Sequence, residues 1–212
     1  DSADPRGDAT PHSVMSVSVD GADGVRRAAR EELRLGATQL KLFASGGVVL
    51  PPKSHATRYE FSPAEMEAAV EEAASRDTYV MAHAYTDEAV RRCLRAGVRS
   101  IEHANFVTEE TVALMGEHRA FFDPTCISLV QRVESAGETG LSTTIVHHVG
   151  HAIEQRRTVY GWARKHGVPI ALGAGLWGPD ARRSQRRELE LRSELDESRN
   201  VVRSATAVNA EL

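Results

Sequence analysis

Two histidines and one lysine are the residues of this sequence whose types and positions could do chemistry together. His83 and His103 each end a short apolar run, and Lys41 lies within a third. Imidazole nitrogens are common ligands of divalent metals. A lysine that points into a packed interior is costly unless it is paired or chemically altered. The three residues predict a metal site. A hydrogen-bonded strand-end histidine and a lysine extended outward between helices are the alternatives for each residue alone.

The chain between the two histidines predicts how they are brought together. Residues 87–97 have apolar side chains on one side and charged ones largely on the other, which is typical of an amphipathic helix. A strand, a helix and a second strand of these lengths form a parallel crossover, whose functional residues lie at the strands' carboxyl ends. Because side chains alternate along a strand, His83 shares a face with Met81, and His103 shares one with Ile101. We therefore expect both imidazoles to point into one interior.

Five stretches of the chain carry recognisable motifs: LKLFASGGV (40–48), VMAHAY (80–85), SIEH (100–103), IALG (170–173) and VRSATAVNAEL (202–212). Together they resemble the amidohydrolase superfamily, nearest to its imidazolonepropionase and Xaa-Pro dipeptidase-like branch. They occur in the family's order and together span nearly the whole chain. The family consists of metal-dependent hydrolases on a (β/α)8 barrel, so the resemblance implies that fold.

The resemblance implies a role for each candidate residue. Lys41 is similar to the carboxylated lysine that bridges two divalent metal ions, expected to be zinc, and His83 and His103 are similar to the histidine ligands of the second ion. Tyr85 is a candidate substrate-binding residue, with packing on a loop as its alternative. The implied reaction is hydrolysis of a C–N amide bond, in a dipeptide or N-acyl amino acid, by a metal-activated water. Lactonase and deaminase chemistry remain open, because those relatives use the same ligand set.

Two features depart from the family's pattern. The His-x-His pair that supplies the first ion's ligands does not occur before Lys41. The family's last barrel strand reads Gly-Thr-Asp, whereas this chain reads Gly173-Ala174-Gly175. Gly175 therefore occupies the position of the catalytic aspartate and is expected to face the space between Lys41, His83 and His103, so no catalytic residue is expected to be intact. The alternative to an amidohydrolase is a catalytically inactive, truncated or decayed relative.

Length and composition set limits on the architecture and the partners. The 212 residues can bury one sizeable core, but a complete barrel typically has ~250 residues. We expect an α/β fold, a single partial TIM-type barrel domain over residues 1–212, roughly the second half, without the first strands or the family's additional β domain. A net charge of −4 gives no reason to expect nucleic acid, and no apolar run predicts a membrane span. Two cysteines without ligand spacing fit a reduced, cytoplasmic protein.

Open strand edges in a partial barrel predict aggregation or a homo-oligomer, and the expected substrate is a small amide or peptide. The other elements follow from capping and composition. They are a loop at 1–20, a βα loop at 48–61, a helix with a capping box at 62–74, a polar, mobile segment at 131–144 and a final strand at 169–173.

A second candidate metal site lies on the long helix predicted from residue 143 or 144 to residue 166. His147 and His151 have the four-residue spacing that lets two imidazoles share a metal. The general-base glutamate of a zincin should follow the first histidine, but His148 stands there instead. A solvated helix face is therefore the preferred interpretation.

Overall fold

Strands and helices alternate along most of the chain in this computed structural model, which describes residues 12–13, 16–48, 57–176 and 181–212. No helix in these ranges is long and apolar enough to cross a membrane. The elements are β1 (His12–Ser13), β2 (Ser16–Val17), α1 (Gly21–Arg34), β3 (Leu40–Phe43), α2 (Pro63–Ala74), β4 (Val80–Thr86), α3 (Asp87–Ala96), β5 (Ser100–Phe106), α4 (Glu109–Glu117), β6 (Phe121–Asp123), α5 (Cys126–Glu134), α6 (Ala136–Thr139), α7 (Thr143–Lys165), α8 (Ala181–Ser193), α9 (Ser198–Arg203), a π-helical turn (Ser204–Val208) and α10 (Asn209–Glu211).

A parallel sheet of four strands, in the order β3, β4, β5 and β6, carries the predicted site residues. One face of the sheet is apolar: Leu42, Ala82, Ile101 and Phe122 are register partners on neighbouring strands, and all four are buried. Helices α1, α2 and α3 pack against these strands. Burying one continuous row of apolar side chains under helices fixes the register of every strand, since a slip by one residue would expose the row.

The helix boundaries follow from local signals in the sequence. At the start of α2, the Ser62 hydroxyl accepts from the Glu65 N–H at 3.3 Å, and the Glu65 carboxylate accepts from the Ser62 N–H at 2.7 Å. The predicted capping box is therefore confirmed. Helix α3 ends at Ala96, followed by Gly97 with a φ of 87°, a left-handed conformation that glycine adopts without strain.

Two segments predicted as irregular contain regular structure. Within residues 1–20, β1 and β2 pair as a short antiparallel ribbon, with His12 opposite Val17. Within residues 131–144, α5 continues to Glu134 and α6 follows, so helical turns occupy part of this polar segment, and its mobility stays a prediction. Leu129 and Val133 lie four residues apart on α5 and pack against α7, and this burial outweighs the weak helix preference of the glycine and serine nearby.

The segment predicted as a final strand is reduced to a single β-bridge between Ile170 and Phe122. Beyond it, side chains satisfy the backbone. Both polar backbone groups of Leu172 bond to the Asn209 side-chain amide at 2.9 Å, and Arg192 donates to the Ala171 carbonyl at 3.0 Å. An exposed edge was expected at this end of the sheet, but these side chains cover it.

The loop predicted at 48–61 lies partly outside the described residues, which omit 49–56. Its last part returns to the carboxyl end of β3, where Gly46 donates to the Arg58 carbonyl at 3.0 Å and Ser45 bridges to Tyr59. The described end of this loop thus pairs with the residues that follow the strand carrying Lys41.

The outer edge of β3 generates a prediction about association. In the described ranges β3 pairs only with β4, and Phe43 is exposed beside the unpaired edge. Open edges recruit other strands, and a charged side chain on the edge opposes this. We expect the chain to sediment as oligomers, and Phe43→Lys to shift it toward the monomer, in analytical ultracentrifugation.

The matched control is Leu35→Lys, because Leu35 is 68% exposed and lies in the connection before β3 rather than on the edge. An equal shift in both variants would assign the association to general hydrophobicity. A wild-type monomer would contradict the prediction outright.

Candidate metal centre

Lys41 and His83 lie on the sheet face opposite the helices. Lys41 is the register partner of Met81, and Phe43 is the register partner of His83, whereas the intervening Leu42 is buried under the helices. Lys41 is exposed, and its ammonium lies 5.9 Å from the centre of the Phe43 ring. The expected burial of this ammonium in a packed interior is therefore wrong for the described residues, although the residue faces the predicted side of the sheet. Carboxylation of Lys41 stays a prediction.

His103 reaches the same face by a route that strand alternation does not predict. The register partner of His83 is Glu102, and Ile101 faces the helices beside Ala82, so alternation would turn His103 toward the helices. Instead His103 and the next residue have φ values of 76° and 45°. These left-handed residues interrupt the regular strand, and the rings of His83 and His103 lie 4.7 Å apart. The expected convergence occurs, but the assumed sharing of a face with Ile101 is wrong.

Both imidazoles are held in the neutral form that can bind a metal. Burial, followed by the nearby charge of Lys41, lowers the pKa of His83 to about 4. Burial, with smaller contributions from His83 and Lys41, lowers the pKa of His103 well below its ordinary value. His103 Nδ1 pairs with the Thr125 hydroxyl at 2.5 Å, which leaves Nε2 for a ligand. His83 Nε2 is buried and has no hydrogen-bond partner among the described residues.

The Tyr85 ring contacts the rings of both histidines. Its ring stacks on His103, with centroids 4.9 Å apart and planes 13° apart, and it meets His83 edge-on at 4.8 Å. The side chain is only 4% exposed, and burial raises the pKa of its hydroxyl. This environment favours the packing alternative, and contact between Tyr85 and a substrate stays a prediction.

Two buried carboxyl groups, which sequence reasoning missed, continue the row of His83 across the sheet. Glu102 and Asp123 are register partners, and the Ser100 hydroxyl donates to Glu102 at 2.6 Å. Burial and then the Asp123 charge raise the pKa of Glu102 to about 7, and burial raises that of Asp123. The available signal was an acidic residue at a strand position flanked by apolar neighbours, as in SIEH and FFDP. Two contacting carboxyl groups in a dry site favour a shared proton.

The two glycines of the final segment have different surroundings. A Cβ on Gly173 would clash with Asp123 Oδ2, so the Asp123 carboxyl group occupies the space of the missing side chain. Gly175 is exposed, has a φ of 59°, and lies beside Thr125 and Ser128. Gly175 was expected to face the space between the lysine and the two histidines. The structure places it against Thr125, the hydrogen-bond partner of His103.

Two of the histidines of α7, His147 and His151, lie on the surface of the helix. His147 and His151 are exposed, and His151 stacks on Phe106 with ring centroids 5.7 Å apart. Across the described ranges, no three side chains of the His, Cys, Asp and Glu types are arranged to hold a metal ion. The buried His83 Nε2, which has no hydrogen-bond partner among the described residues, lies beside His103 and fits one of two ligands of an ion, and Lys41 lies on the same face of the sheet.

Comparison with known proteins places this geometry in a family. The profile of the amidohydrolase family matches residues 9–173. The chain belongs to the amidohydrolase family. Ochratoxinase from Aspergillus niger is 34% identical over 155 residues, which are 73% of this chain and 32% of the relative. The chain thus spans about a third of the length of that curated relative.

Solved structures of a prolidase and a Xaa-Pro dipeptidase superpose on nearly the whole chain. A prolidase crystallised with N-methylphosphonate-L-proline is 38% identical, with a TM-score of 0.81 over 91% of this chain and 47% of its own. A Xaa-Pro dipeptidase with bound methionine is 27% identical, with a TM-score of 0.80 over 91% and 48%. The fold is therefore an α/β, partial TIM-type barrel, as expected, and covers about half of such a chain.

The carboxyl pair predicts the pH dependence of stability. Because the pKa of Glu102 is about 7 in the folded protein and ordinarily 4.5, the folded state binds more protons between these values, and stability falls as the pH rises through them. We expect Glu102→Gln to reduce that fall by roughly 1–3 kcal/mol between pH 5 and pH 8, measured by urea unfolding. Glu117→Gln, on an exposed position of α4, is the control and should leave the fall unchanged. An identical pH dependence in all three proteins would mean that Glu102 does not titrate in this range.

Proposed function

We propose that the protein of which this chain forms part is a metal-dependent hydrolase of amide bonds. The observation that carries the proposal is the pair of neutral imidazoles: His83 Nε2 is buried next to His103 and has no hydrogen-bond partner in the described part of the chain. An unpaired buried nitrogen costs free energy, and a metal ion would supply its missing partner. Lys41 lies on the same face and could join the site after carboxylation.

The proposed substrate is a dipeptide or an N-acyl amino acid. The prolidase and the Xaa-Pro dipeptidase are named for cleavage of peptides at proline, and ochratoxinase is named for its action on ochratoxin. The bound metal would supply the activation of a water molecule. His83 and His103 would hold the ion, and zinc is the proposed metal because it accepts imidazole nitrogens readily. The carboxyl pair of Glu102 and Asp123 would retain a proton at the floor of the site.

A second candidate is a catalytically inactive relative, and Gly175 favours it. The position of the family's catalytic aspartate has no side chain and a left-handed backbone. The chain also contains no His-x-His pair ahead of Lys41. The coding sequence upstream separates the candidates: a strand that ends in His-x-His favours the hydrolase, and its absence favours the inactive relative.

Metal content tests the role of the two histidines. Sites with fewer than three protein ligands bind zinc poorly, so we expect the chain to take up less than one equivalent and to lose it on dialysis. Replacing both histidines, His83→Ala with His103→Ala, should abolish the uptake, measured by plasma mass spectrometry. The matched control replaces His147 and His151 by alanine, and should bind as the wild type. Undiminished zinc in the first double variant would place the site elsewhere.

Turnover tests the role of position 175. We expect Gly175→Asp to restore no hydrolysis of dipeptides or N-acyl amino acids in this chain with added zinc, because a carboxylate cannot replace the missing ligands. Residue 175 has a left-handed backbone, which aspartate adopts less readily than glycine. The substitution should therefore also lower the free energy of unfolding by roughly 1–2 kcal/mol. In a protein that includes the first-ion histidines, we expect the variant to gain less than the about 10²–10⁴-fold of a well-placed general base, because its side chain would meet Thr125 rather than face the histidines. Equal, robust turnover with glycine and with aspartate would show that the catalytic carboxylate comes from another position.

A further inference from the structure

Thr125 occupies the N-cap position of α5, yet it does not cap the helix. An N-cap threonine ordinarily has an extended backbone, and its hydroxyl accepts from an N–H of the first turn. Thr125 instead has φ 43° and ψ 50°, and its side chain makes no such bond. This left-handed conformation is a strained one for a β-branched residue. Its hydroxyl pairs with His103 Nδ1 at 2.5 Å.

A carboxylate from a distant helix caps α5 in place of Thr125. Glu188 of α8 is fully buried and accepts from the N–H groups of Cys126 and Ile127 at 3.1 and 2.7 Å, the first two residues of the helix. Arg192, also fully buried, lies 3.7 Å from this carboxylate. The Glu188 carboxylate accepts from the N–H groups at the start of α5. The Thr125 hydroxyl is therefore not needed as a helix cap and can bond to His103.

The backbone of Thr125 is held on both sides. Its N–H donates to Asp123 Oδ1 at 3.2 Å, and its carbonyl accepts from the N–H and the hydroxyl of Ser128 at 3.2 and 2.8 Å. A strained backbone conformation persists where several neighbouring contacts hold it in place, and such positions cluster at functional sites. In the described ranges, the hydroxyl of Thr125 has one protein partner, the His103 ring.

We propose that Thr125 is the positioning residue of His103, fixing the ring through Nδ1 so that Nε2 is presented beside His83. A hydroxyl can donate to a bare Nδ1 or accept from a protonated one, so the contact persists in either tautomer. Nε2 can bind a metal only when Nδ1 carries the proton, and a partner at Nδ1 holds the ring in place meanwhile. The positioning itself stands on the metal-free geometry, and its consequence for zinc rests on the proposed function.

The test observes the His103 ring directly, by two-bond ¹H–¹⁵N correlation spectra of the ¹⁵N-histidine-labelled chain without metal. Thr125→Val keeps the shape and the branching but removes the hydroxyl. Thr125→Gly removes the hydroxyl and also the strain of the left-handed backbone. It replaces the valine variant in the test if that variant does not fold. Thr125→Ser retains the hydroxyl. Thr86→Val is the matched control, because the Thr86 hydroxyl is buried and has no hydrogen-bond partner among the described residues.

We expect the valine and glycine variants to shift the Nδ1 and Nε2 signals of His103 and to change its tautomer ratio, while the serine variant and the control keep wild-type signals. Zinc affinity, measured by competition with a chromophoric chelator, should fall about 10–100-fold in the first two variants. Wild-type His103 signals in the valine variant, or in the glycine variant if valine does not fold, would overturn the positioning role. If His103 responds as expected and the wild type binds no zinc, the positioning role stands and the proposed function fails.

Discussion

The parallel register of the sheet is the constraint on which the rest of the structure depends. Each strand presents alternate side chains to the helices, and burial of that apolar row leaves the intervening residues on the other face. The opposite row begins at Phe43 and continues through His83, Glu102 and Asp123, which are register partners in turn. A slip of one strand would exchange the rows, so the free energy that holds the core also places an imidazole next to two carboxyl groups.

His103 departs from this alternation, and contacts from outside the sheet hold it in its left-handed conformation. A left-handed backbone at a residue other than glycine costs on the order of 1–3 kcal/mol, and His103 is followed by a second such residue. One such contact is the hydrogen bond between the Thr125 hydroxyl and His103. Thr125 is available for it because Glu188 caps the helix instead. Helix α8 lies far along the chain from the histidines, yet it contributes to their geometry through buried polar contacts. These contacts couple the carboxyl-terminal helices to the candidate metal centre.

Sequence patterns that span a few residues predicted the helices well. The site depends on contacts between distant residues and was predicted only in part. The capping box of Ser62 and the stop at Gly97 depend on neighbours within a few residues, so they can be read directly. Convergence of the histidines was expected from ideal alternation, yet it arises from two left-handed residues that no periodicity reveals. The carboxyl pair and the cap from Glu188 depend on partners brought together only by folding. The final strand failed for the same reason, since Asn209 satisfies the backbone that a neighbouring strand would otherwise pair.

The two glycines of the final segment show why the absent aspartate is more than a change of side chain. Gly173 is required by space, because the Asp123 carboxyl group fills the position of its Cβ. Gly175 is favoured by conformation, because its backbone is left-handed rather than extended. Regular pairing with β6 is confined to Ile170, so the chain has left the direction of the sheet before it reaches residue 175. A side chain at that position would therefore not project as one from a strand end does. An acidic group nevertheless stands against this segment, supplied by Asp123 from the neighbouring strand. The chain thus keeps a carboxyl group at this end of the sheet, but it is buried and shares its environment with Glu102 rather than facing solvent.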